Sequence, residues 1–160
     1  MNPLKSGISL RDLIAAYTED ELAQHIDNTL LKPDATSELL NKYIEDTKKY
    51  KFACLVLSPY HALQVLRQGD PGVRICSVVG FPAGYSPLRV KVSEAEELIA
   101  AGVKELDVVM NIQAFKRGDY DYVTTEIAQI VDLAKSFGVT VKVIIEAPML
   151  TDIEKIRAVE

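Results

Sequence analysis

Three charged side chains stand inside apolar segments of the sequence, where a charge is unstable unless it has a partner. Asp107, Lys142 and Asp27 occupy these positions. The segments are KELDVVMN (104–111), VTVKVIIEA (139–147) and IDNTLL (26–31). A carboxyl group with a tuned pKa can accept and donate protons, and a lysine whose pKa is lowered can form a Schiff base. The three residues therefore predict acid–base or carbonyl chemistry, provided that the fold brings them together.

Each of these residues also has a purely structural interpretation. Asp107 would form an ion pair that serves stability alone, Lys142 would extend its ammonium past the strand end into solvent, and Asp27 would cap a turn. Asp107 and Lys142 belong to successive predicted strands and to the same face. Because adjacent parallel strands lie about 4.8 Å apart, we expect a salt bridge or a proton relay between them.

The remaining candidates are thiols, imidazoles and one loop. Cys54 is placed on the same face as Asp107, either in the pocket or as a packing thiol. His25 and His61 have no third partner at metal-ligand spacing, and no CxxC or HExxH motif occurs, so we expect no metal and no cofactor. The segment GFPAGYSP (80–87) is neither a GxGxxG nor a Walker loop, and is expected at the rim of a site.

Short apolar runs alternate with helical stretches along the chain. The predicted strands are 26–31, 52–57, 73–81, 104–111 and 139–147. The predicted helices are 8–23, 36–50, 59–68, 91–101, 119–136 and one that begins near Thr151. This alternation, with strands rich in Val and Ile, predicts a parallel sheet covered by helices.

Two α/β architectures fit five strands in 160 residues. One is an open, doubly wound, flavodoxin-like sheet, and the other is the first five units of a (β/α)8 TIM barrel of about 250 residues. Within KELDVVMN, Glu105 and Asp107 share one face, whereas Leu106 and Val108 share the other. A sheet covered by helices on both sides should be apolar on both faces. The charged face therefore favours a barrel with chemistry in its interior.

Composition narrows the class of protein. The chain is 48% apolar and 26% charged, which is typical of a globular protein, and we expect a single domain over 1–160 with an extra N-terminal helix. Its net charge of −5, without a basic run, predicts no nucleic-acid or membrane partner. No apolar stretch reaches the roughly 18 residues of a membrane span, and the N-terminus lacks a signal-peptide pattern. Cys54 and Cys76 are expected as reduced core thiols of a cytoplasmic protein.

From about residue 20 onward, these segments together resemble the deoxyribose-phosphate aldolase family. IDNTLLKPDAT resembles the family's first-strand motif, with Asn28 where many members have His. CSVVGFPAG and VKVSEAEELIAAGVKELDVVMNI resemble the third and fourth strands, and VKVIIE resembles the fifth, followed by Ala147-Pro148 instead of Thr-Cys or Thr-Gly. The resemblance implies a metal-free class I aldolase on a (β/α)8 barrel. It would cleave 2-deoxyribose 5-phosphate reversibly to glyceraldehyde 3-phosphate and acetaldehyde, in deoxyribonucleotide catabolism.

The same resemblance implies residue roles. Asp107 matches the strand-four aspartate that accepts and donates protons through water, and Lys142 matches the strand-five lysine that assists around the carbinolamine. Asp27 matches a first-strand aspartate near the substrate hydroxyl, and Thr29 is grouped with it as a substrate-binding residue. Cys54 matches a pocket residue of the second strand.

The sequence also departs from the family pattern. The family's Schiff-base lysine lies in a KTSTG-like motif on strand six, and its phosphate is held by loops after strands six to eight. No KTSTG-like or GGxR-like motif occurs in the 160 residues. We therefore expect a truncated aldolase-family chain, largely inactive alone, whose open sheet edges favour a homo-oligomer. A non-catalytic half-barrel or binding module, and a flavodoxin-like binding domain, are the alternatives.

Overall fold

A computed structural model describes residues 10–160 as one parallel sheet with helices. The strands are β1 (Asp27–Leu30), β2 (Cys54–Leu57), β3 (Ile75–Val79), β4 (Glu105–Val109) and β5 (Thr140–Ile144). The helices are α1 (Leu10–Ala15), α2 (Glu19–Ala23), α3 (Ser37–Tyr50), α4 (Pro59–Arg67), α5 (Leu88–Ala101), α6 (Ile112–Lys116), α7 (Tyr120–Ser136) and α8 (Asp152–Val159). A single 3₁₀ turn, Ala147–Met149, precedes α8.

The five strands pair in parallel in the sequential order β1-β2-β3-β4-β5. A doubly wound sheet reverses its strand order at a switch point, so the flavodoxin-like alternative is wrong. Asp27 on β1 and Lys142 on β5 form an ion pair although they belong to the two outermost strands of the sheet. The sheet must therefore curve until side chains of its two edge strands meet across its inner face. This arc of five βα units confirms the predicted barrel-type α/β fold.

The outer face of the sheet carries the main hydrophobic core. The outward-facing buried strand residues in it are Leu30, Leu55, Leu57, Ile75, Val79, Leu106 and Val108. They pack beneath α3, α4, α5 and α7, with helix residues such as Leu40, Ala62, Leu98 and Ile130. The inner face has a smaller apolar cluster of Cys54, Val56, Cys76 and Val78. Side chains alternate between the two faces along each strand, which leaves the inner face free to carry charges.

Side-chain caps fix where several helices begin. The Thr36 hydroxyl accepts the Leu39 N–H at 3.3 Å at the start of α3, and the Thr151 hydroxyl accepts the Glu154 N–H, also at 3.3 Å, at the start of α8. A further cap corrects the predicted helix over 8–23. Thr18 accepts the Glu21 N–H at 3.2 Å in a capping box that starts α2, so the chain is extended at Thr18 and two helices replace one. Residues 8–9 lie outside the described part.

Other element boundaries also differ from the predictions. Helix α5 begins at Leu88 instead of residue 91, and the strand predicted over 73–81 is limited to β3. Helix α6 was not predicted. It begins because the Asn111 side chain accepts the Ala114 N–H at 3.0 Å, which caps a short helix directly after β4.

The loop over 80–87 leaves the carboxyl end of β3 and packs against the end of β4. Gly84 has a φ of +68°, and a Cβ at this position would lie 2.0 Å from the Met110 carbonyl oxygen. Only glycine therefore allows the loop to approach the strand so closely. Within residues 10–160, no helix combines the length and the apolar character needed to cross a bilayer.

Candidate functional site

The inner face of the curled sheet holds a lysine surrounded by three carboxylates. The ammonium of Lys142 on β5 forms a hydrogen-bonded ion pair with Asp27 on β1. It also lies 2.8 Å from Glu105 Oε1 and 3.3 Å from Asp107 Oδ1, both on β4. Asp107 and Lys142 face each other in the strand register. The structure thus brings together Asp107 and Lys142, which the sequence placed on one face, with Asp27 of the first strand and with Glu105.

The first two strands contribute the other predicted site residues. The Cys54 thiol donates to Asp27 Oδ1 at 3.1 Å, and these residues are also register partners of β1 and β2. The hydroxyl of Thr29 donates to the backbone carbonyl of Asp27 at 3.0 Å and is exposed. Cys54 therefore orients the carboxylate that holds Lys142, whereas Thr29 lies beside this arrangement without a described side-chain contact to Lys142.

Exposure to solvent falls from the lysine towards Asp107. The side chain of Lys142 is 43% exposed and that of Asp27 is 32% exposed. Those of Glu105 and Asp107 are only 13% and 12% exposed. The ammonium is thus reachable from solvent, while two of its carboxylate partners lie deeper. Lys142 and Asp27 are therefore the more solvent-accessible members of the cluster.

The surroundings shift the pKa values of the two aspartates in opposite directions. Burial raises the pKa of Asp107, and the negative charges of Glu105 and Asp27 add to this effect against the opposing influence of Lys142. Burial also acts to raise the pKa of Asp27, but hydrogen bonds from Lys142 and Cys54, with the lysine's charge, outweigh it and lower the pKa. Carboxyl groups with such a split are suited to different roles, one holding a proton and one staying ionised.

The carboxylates also decide the protonation state of Lys142. Burial acts to lower its pKa, but hydrogen bonds to Asp27 and Glu105 and the charges of Asp107 and Glu105 outweigh burial and raise it. The amine is therefore fully protonated at neutral pH. The lowered pKa that a Schiff-base lysine needs is absent in this arrangement.

The thiol of Cys54 is similarly unreactive. Its contact with the Cys76 thiol, its burial and the negative charge of Asp27 all raise its pKa. Both cysteines are free and buried within the inner apolar cluster. A protonated, buried thiol is a weak nucleophile, so Cys54 serves packing and the orientation of Asp27.

Two positions have roles that the sequence did not indicate. Glu105 was placed on the charged face by strand parity but received no role, and it contacts both Lys142 and the guanidinium of Arg74, the latter at 3.4 Å. The Asn28 side chain donates to the Tyr43 carbonyl at 3.2 Å and to the Thr47 hydroxyl at 3.0 Å. Asn28 therefore points towards α3, away from the charged cluster.

A fully buried ion pair lies outside the sheet. Lys91 of α5 and Glu126 of α7 are 2.7 Å apart, and both side chains are fully buried. The ammonium of Lys91 also donates to the Val109 carbonyl at 2.8 Å, and the Asn111 N–H donates to Glu126 at 3.2 Å. The pair fixes two helices to the end of β4. Lys91 sits between two valines in the sequence, which is the one local signal of its burial.

The sequence is similar over most of its length to curated proteins that share one name. No family model matches the chain. It is 44% identical over 143 residues to the deoxyribose-phosphate aldolase of Caldanaerobacter subterraneus subsp. tengcongensis, covering 87% of this chain and 61% of that protein. It is 43% identical over 143 residues to the deoxyribose-phosphate aldolase of Thermococcus kodakarensis, covering 88% of this chain and 64% of that protein. The chain thus spans about three-fifths of the length of these curated relatives.

A solved structure gives the same result in three dimensions. The deoxyribose-phosphate aldolase of Aeropyrum pernix, described as having a unique tetrameric structure, matches with a TM-score of 0.79 at 39% sequence identity. The match covers 91% of this chain and 63% of that one. The curled five-stranded sheet described above therefore corresponds to part of that protein's fold.

Proposed function

Because the chain is a partial-length relative of the deoxyribose-phosphate aldolase family, we propose that it takes part in that family's reaction. The reaction is the reversible cleavage of 2-deoxyribose 5-phosphate to glyceraldehyde 3-phosphate and acetaldehyde, a step in deoxyribonucleotide catabolism. One observation carries the proposal. Lys142, Asp107 and Asp27 lie on the inner face of the curled sheet, with the lysine in contact with both aspartates. These are the residues that the resemblance assigns to the active site.

We assign the acid–base part of the reaction to this cluster. Asp107 is the proton acceptor and donor, because burial favours its protonated form while Lys142 stabilises its ionised form. Lys142 acts as a fixed cation that lowers the energy of the negative charge developing on nearby oxygen atoms. Asp27 stays ionised, holds Lys142 in place with the help of Cys54, and accepts a hydrogen bond from a substrate hydroxyl. Thr29 is proposed at the edge of the same substrate site.

We assign the Schiff base to a lysine outside these 160 residues. The carboxylates around Lys142 keep its amine protonated, and a protonated amine cannot attack a carbonyl carbon. The KTSTG-like motif of the family is absent from the sequence. The chain by itself is therefore proposed to bind and transfer protons without forming the covalent intermediate.

Trapping with acetaldehyde and borohydride tests this division of roles. The chain alone should gain no stoichiometric mass adduct on Lys142. Mixed with a segment of the Caldanaerobacter relative that contains strands six to eight, it should release acetaldehyde from 2-deoxyribose 5-phosphate, with the adduct on the added segment. A stoichiometric adduct on Lys142 of the folded chain would show that this chain carries its own nucleophile.

A homo-oligomer is the second candidate property. Val143 on the outermost strand β5 is 38% exposed, and Ile153 and Ile156 of α8 are 81% and 62% exposed. Exposed apolar side chains beside a sheet edge favour association with another polypeptide. The related Aeropyrum pernix enzyme is described as tetrameric, which supports the proposal. Light scattering coupled to gel filtration would distinguish an oligomer from a monomer.

The cellular setting is proposed from composition and the state of the cysteines. We place the protein in the cytoplasm, because Cys54 and Cys76 are free thiols, as expected in a reducing compartment. With a net charge of −5, the chain can bind an anionic sugar phosphate only at a place where local cations hold the phosphate. The same net charge argues against a nucleic-acid or membrane-surface partner. Fractionation of cells that express the chain, with immunodetection in each fraction, would test this location.

A further inference from the structure

The loop over 80–87 joins the carboxyl end of β3 to α5 and is held in place at two glycines. At the first, the Gly80 N–H donates to Glu94 Oε2 of α5 at 2.8 Å. At the second, Gly84 packs on the Met110 carbonyl, and its N–H donates to the Gly80 carbonyl at 2.8 Å. The loop is therefore anchored on one side to a helix of the outer layer and on the other side to the end of β4.

The first anchor also depends on the aliphatic part of Lys91. Gly80 has a φ of +68°, and a Cβ at this position would lie 2.8 Å from Lys91 Cε and 3.3 Å from its Cδ. The backbone of the loop thus packs directly on the methylene groups of a fully buried side chain. Lys91 and Glu94 are three positions apart on α5, so one face of this helix holds Gly80 through both side chains.

The second anchor depends on the ion pair between Lys91 and Glu126. The residues on either side of Met110 are both bonded to this pair. The Lys91 ammonium donates to the Val109 carbonyl at 2.8 Å. On the other side, Glu126 Oε2 accepts the Asn111 N–H at 3.2 Å. The pair therefore fixes the short backbone segment on which the second glycine of the loop rests.

We propose that Lys91, supported by Glu94 and Glu126, is a positioning residue for the substrate site of the reaction. In a barrel of parallel strands, the site is built from the loops at the carboxyl ends of the strands, and the loop over 80–87 is one of these. Lys91 supports both anchors of this loop from the outer layer. This role rests on the proposed function, because it requires that the inner side of the barrel binds a substrate.

The expected contribution of Lys91 is to substrate binding. Asp107 and Lys142 are register partners in the ladder between β4 and β5 and form an ion pair with each other. A looser loop would therefore leave these acid–base groups in place. Phe81 and Tyr85 of the loop are exposed. An anchored loop fixes their backbone positions before substrate arrives, which reduces the entropy that binding costs.

Amide hydrogen exchange of the chain, followed by NMR, tests the positioning role without any activity measurement. The reporter is the Gly84 N–H, because its acceptor is the backbone carbonyl of Gly80 and none of the side chains to be substituted. Its exchange rate is divided by that of the Leu55 N–H, which donates to the Arg74 carbonyl at 2.9 Å. A general loss of stability does not raise this ratio, whereas local opening of the loop does.

Two variants should raise the exchange ratio at least about tenfold, as expected for the loss of hydrogen bonds to charged groups. Glu94→Ala removes the acceptor of the first anchor. Lys91→Met/Glu126→Leu removes the support of the second anchor, but it keeps much of the aliphatic packing and leaves no buried charge. The matched control is Glu96→Ala, at an exposed glutamate of the same helix, which should leave the ratio unchanged. An unchanged ratio in either of the first two variants, with the fold verified by circular dichroism, would overturn the proposal.

Steady-state kinetics of the barrel completed with the Caldanaerobacter segment connect the loop to the substrate. Glu94→Ala should raise KM for 2-deoxyribose 5-phosphate at least about tenfold and change kcat less than about twofold, because only binding is lost. Glu96→Ala should change neither constant. An unchanged KM in Glu94→Ala would overturn the role in substrate binding. If the wild-type barrel releases no acetaldehyde, the proposed function is wrong, and Gly84 exchange still decides whether Lys91 holds the loop.

Discussion

Lys91 and Lys142 form ion pairs in opposite environments on opposite sides of the same sheet. Lys91 has one carboxylate partner, Glu126, and both side chains are fully buried. Lys142 has three carboxylate partners and remains 43% exposed. Burial lowers the pKa of Lys91 and raises that of Glu126, so the interior disfavours both charges. Burial also acts to lower the pKa of Lys142, but the hydrogen bonds and negative charges of its carboxylate partners outweigh this effect and raise the pKa.

The difference separates a structural pair from a site available for chemistry. The outer pair is sealed between α5, α7 and β4, where no substrate can reach it. The inner cluster has excess negative charge, solvent access and two aspartates whose pKa values move apart. Buried charges alone therefore do not mark an active site in this fold. Carboxylates that are only partly neutralised and that solvent can reach are a better indication of an active site.

The largest effect is expected from breaking the sealed pair. Lys91→Met should leave Glu126 buried without its ammonium partner and lower the free energy of unfolding by about 3–5 kcal/mol. Urea denaturation followed by circular dichroism measures the change. The double variant Lys91→Met/Glu126→Leu should regain most of the loss, because both buried charges are then absent. A loss below about 1 kcal/mol in the single variant would show that the pair is not the structural element proposed.

The next effect concerns proton transfer at the inner cluster. Asp107→Asn should keep the fold but reduce acetaldehyde release by the complemented barrel about 10²–10⁴-fold, because the amide cannot accept and donate the proton. Coupled detection of acetaldehyde gives the rate, and thermal unfolding checks the fold. Arg67→Ala, at an exposed ion pair on α4, is the control and should leave the rate unchanged. An unfolded Asp107→Asn variant would instead support a purely structural role for Asp107.

A smaller effect on stability is expected at Lys142 than at Lys91. Lys142→Met removes a partly exposed charge, so the unfolding free energy should fall by only about 1–2 kcal/mol at neutral pH. The three remaining carboxylates repel one another, and the loss should shrink as falling pH neutralises them. Urea titrations at several pH values measure this trend. A loss equal to that of Lys91→Met would erase the contrast between the two lysines.

The smallest effect on stability is expected at the surface ion pair between Lys116 and Glu154. The hydrogen bond from Lys116 and that from the Thr151 backbone lower the pKa of Glu154 from 4.5 to about 2. Because the folded chain favours the carboxylate, this contribution to stability is complete above pH 4.5 and disappears as the pH falls towards 2. Glu154→Gln should be slightly less stable than wild type at neutral pH and equal to it near pH 2. Constant differences in the urea midpoint would contradict this assignment.

Local patterns were sufficient for some of these features and insufficient for others. Apolar runs located all five strands, and alternation along them placed Asp107 and Lys142 on one face, while Asp27 was a candidate on the first strand without an assigned face. The break at Thr18 was missed because the apolar spacing continued across a capping box. Contacts between distant elements had no local signal, as in the Lys91–Glu126 pair, where charged residues on two amphipathic helices are usually solvent-exposed.

The contact between Asp27 and Lys142 has a kinetic consequence. The two residues are 115 positions apart in the chain, so their pairing closes a very large loop and depends on the intervening strands being in order. Contacts of such long range form late in folding and slow it. The charged cluster is therefore complete only when β5 is in place, because without β5 the three carboxylates lack the ammonium of Lys142 between them.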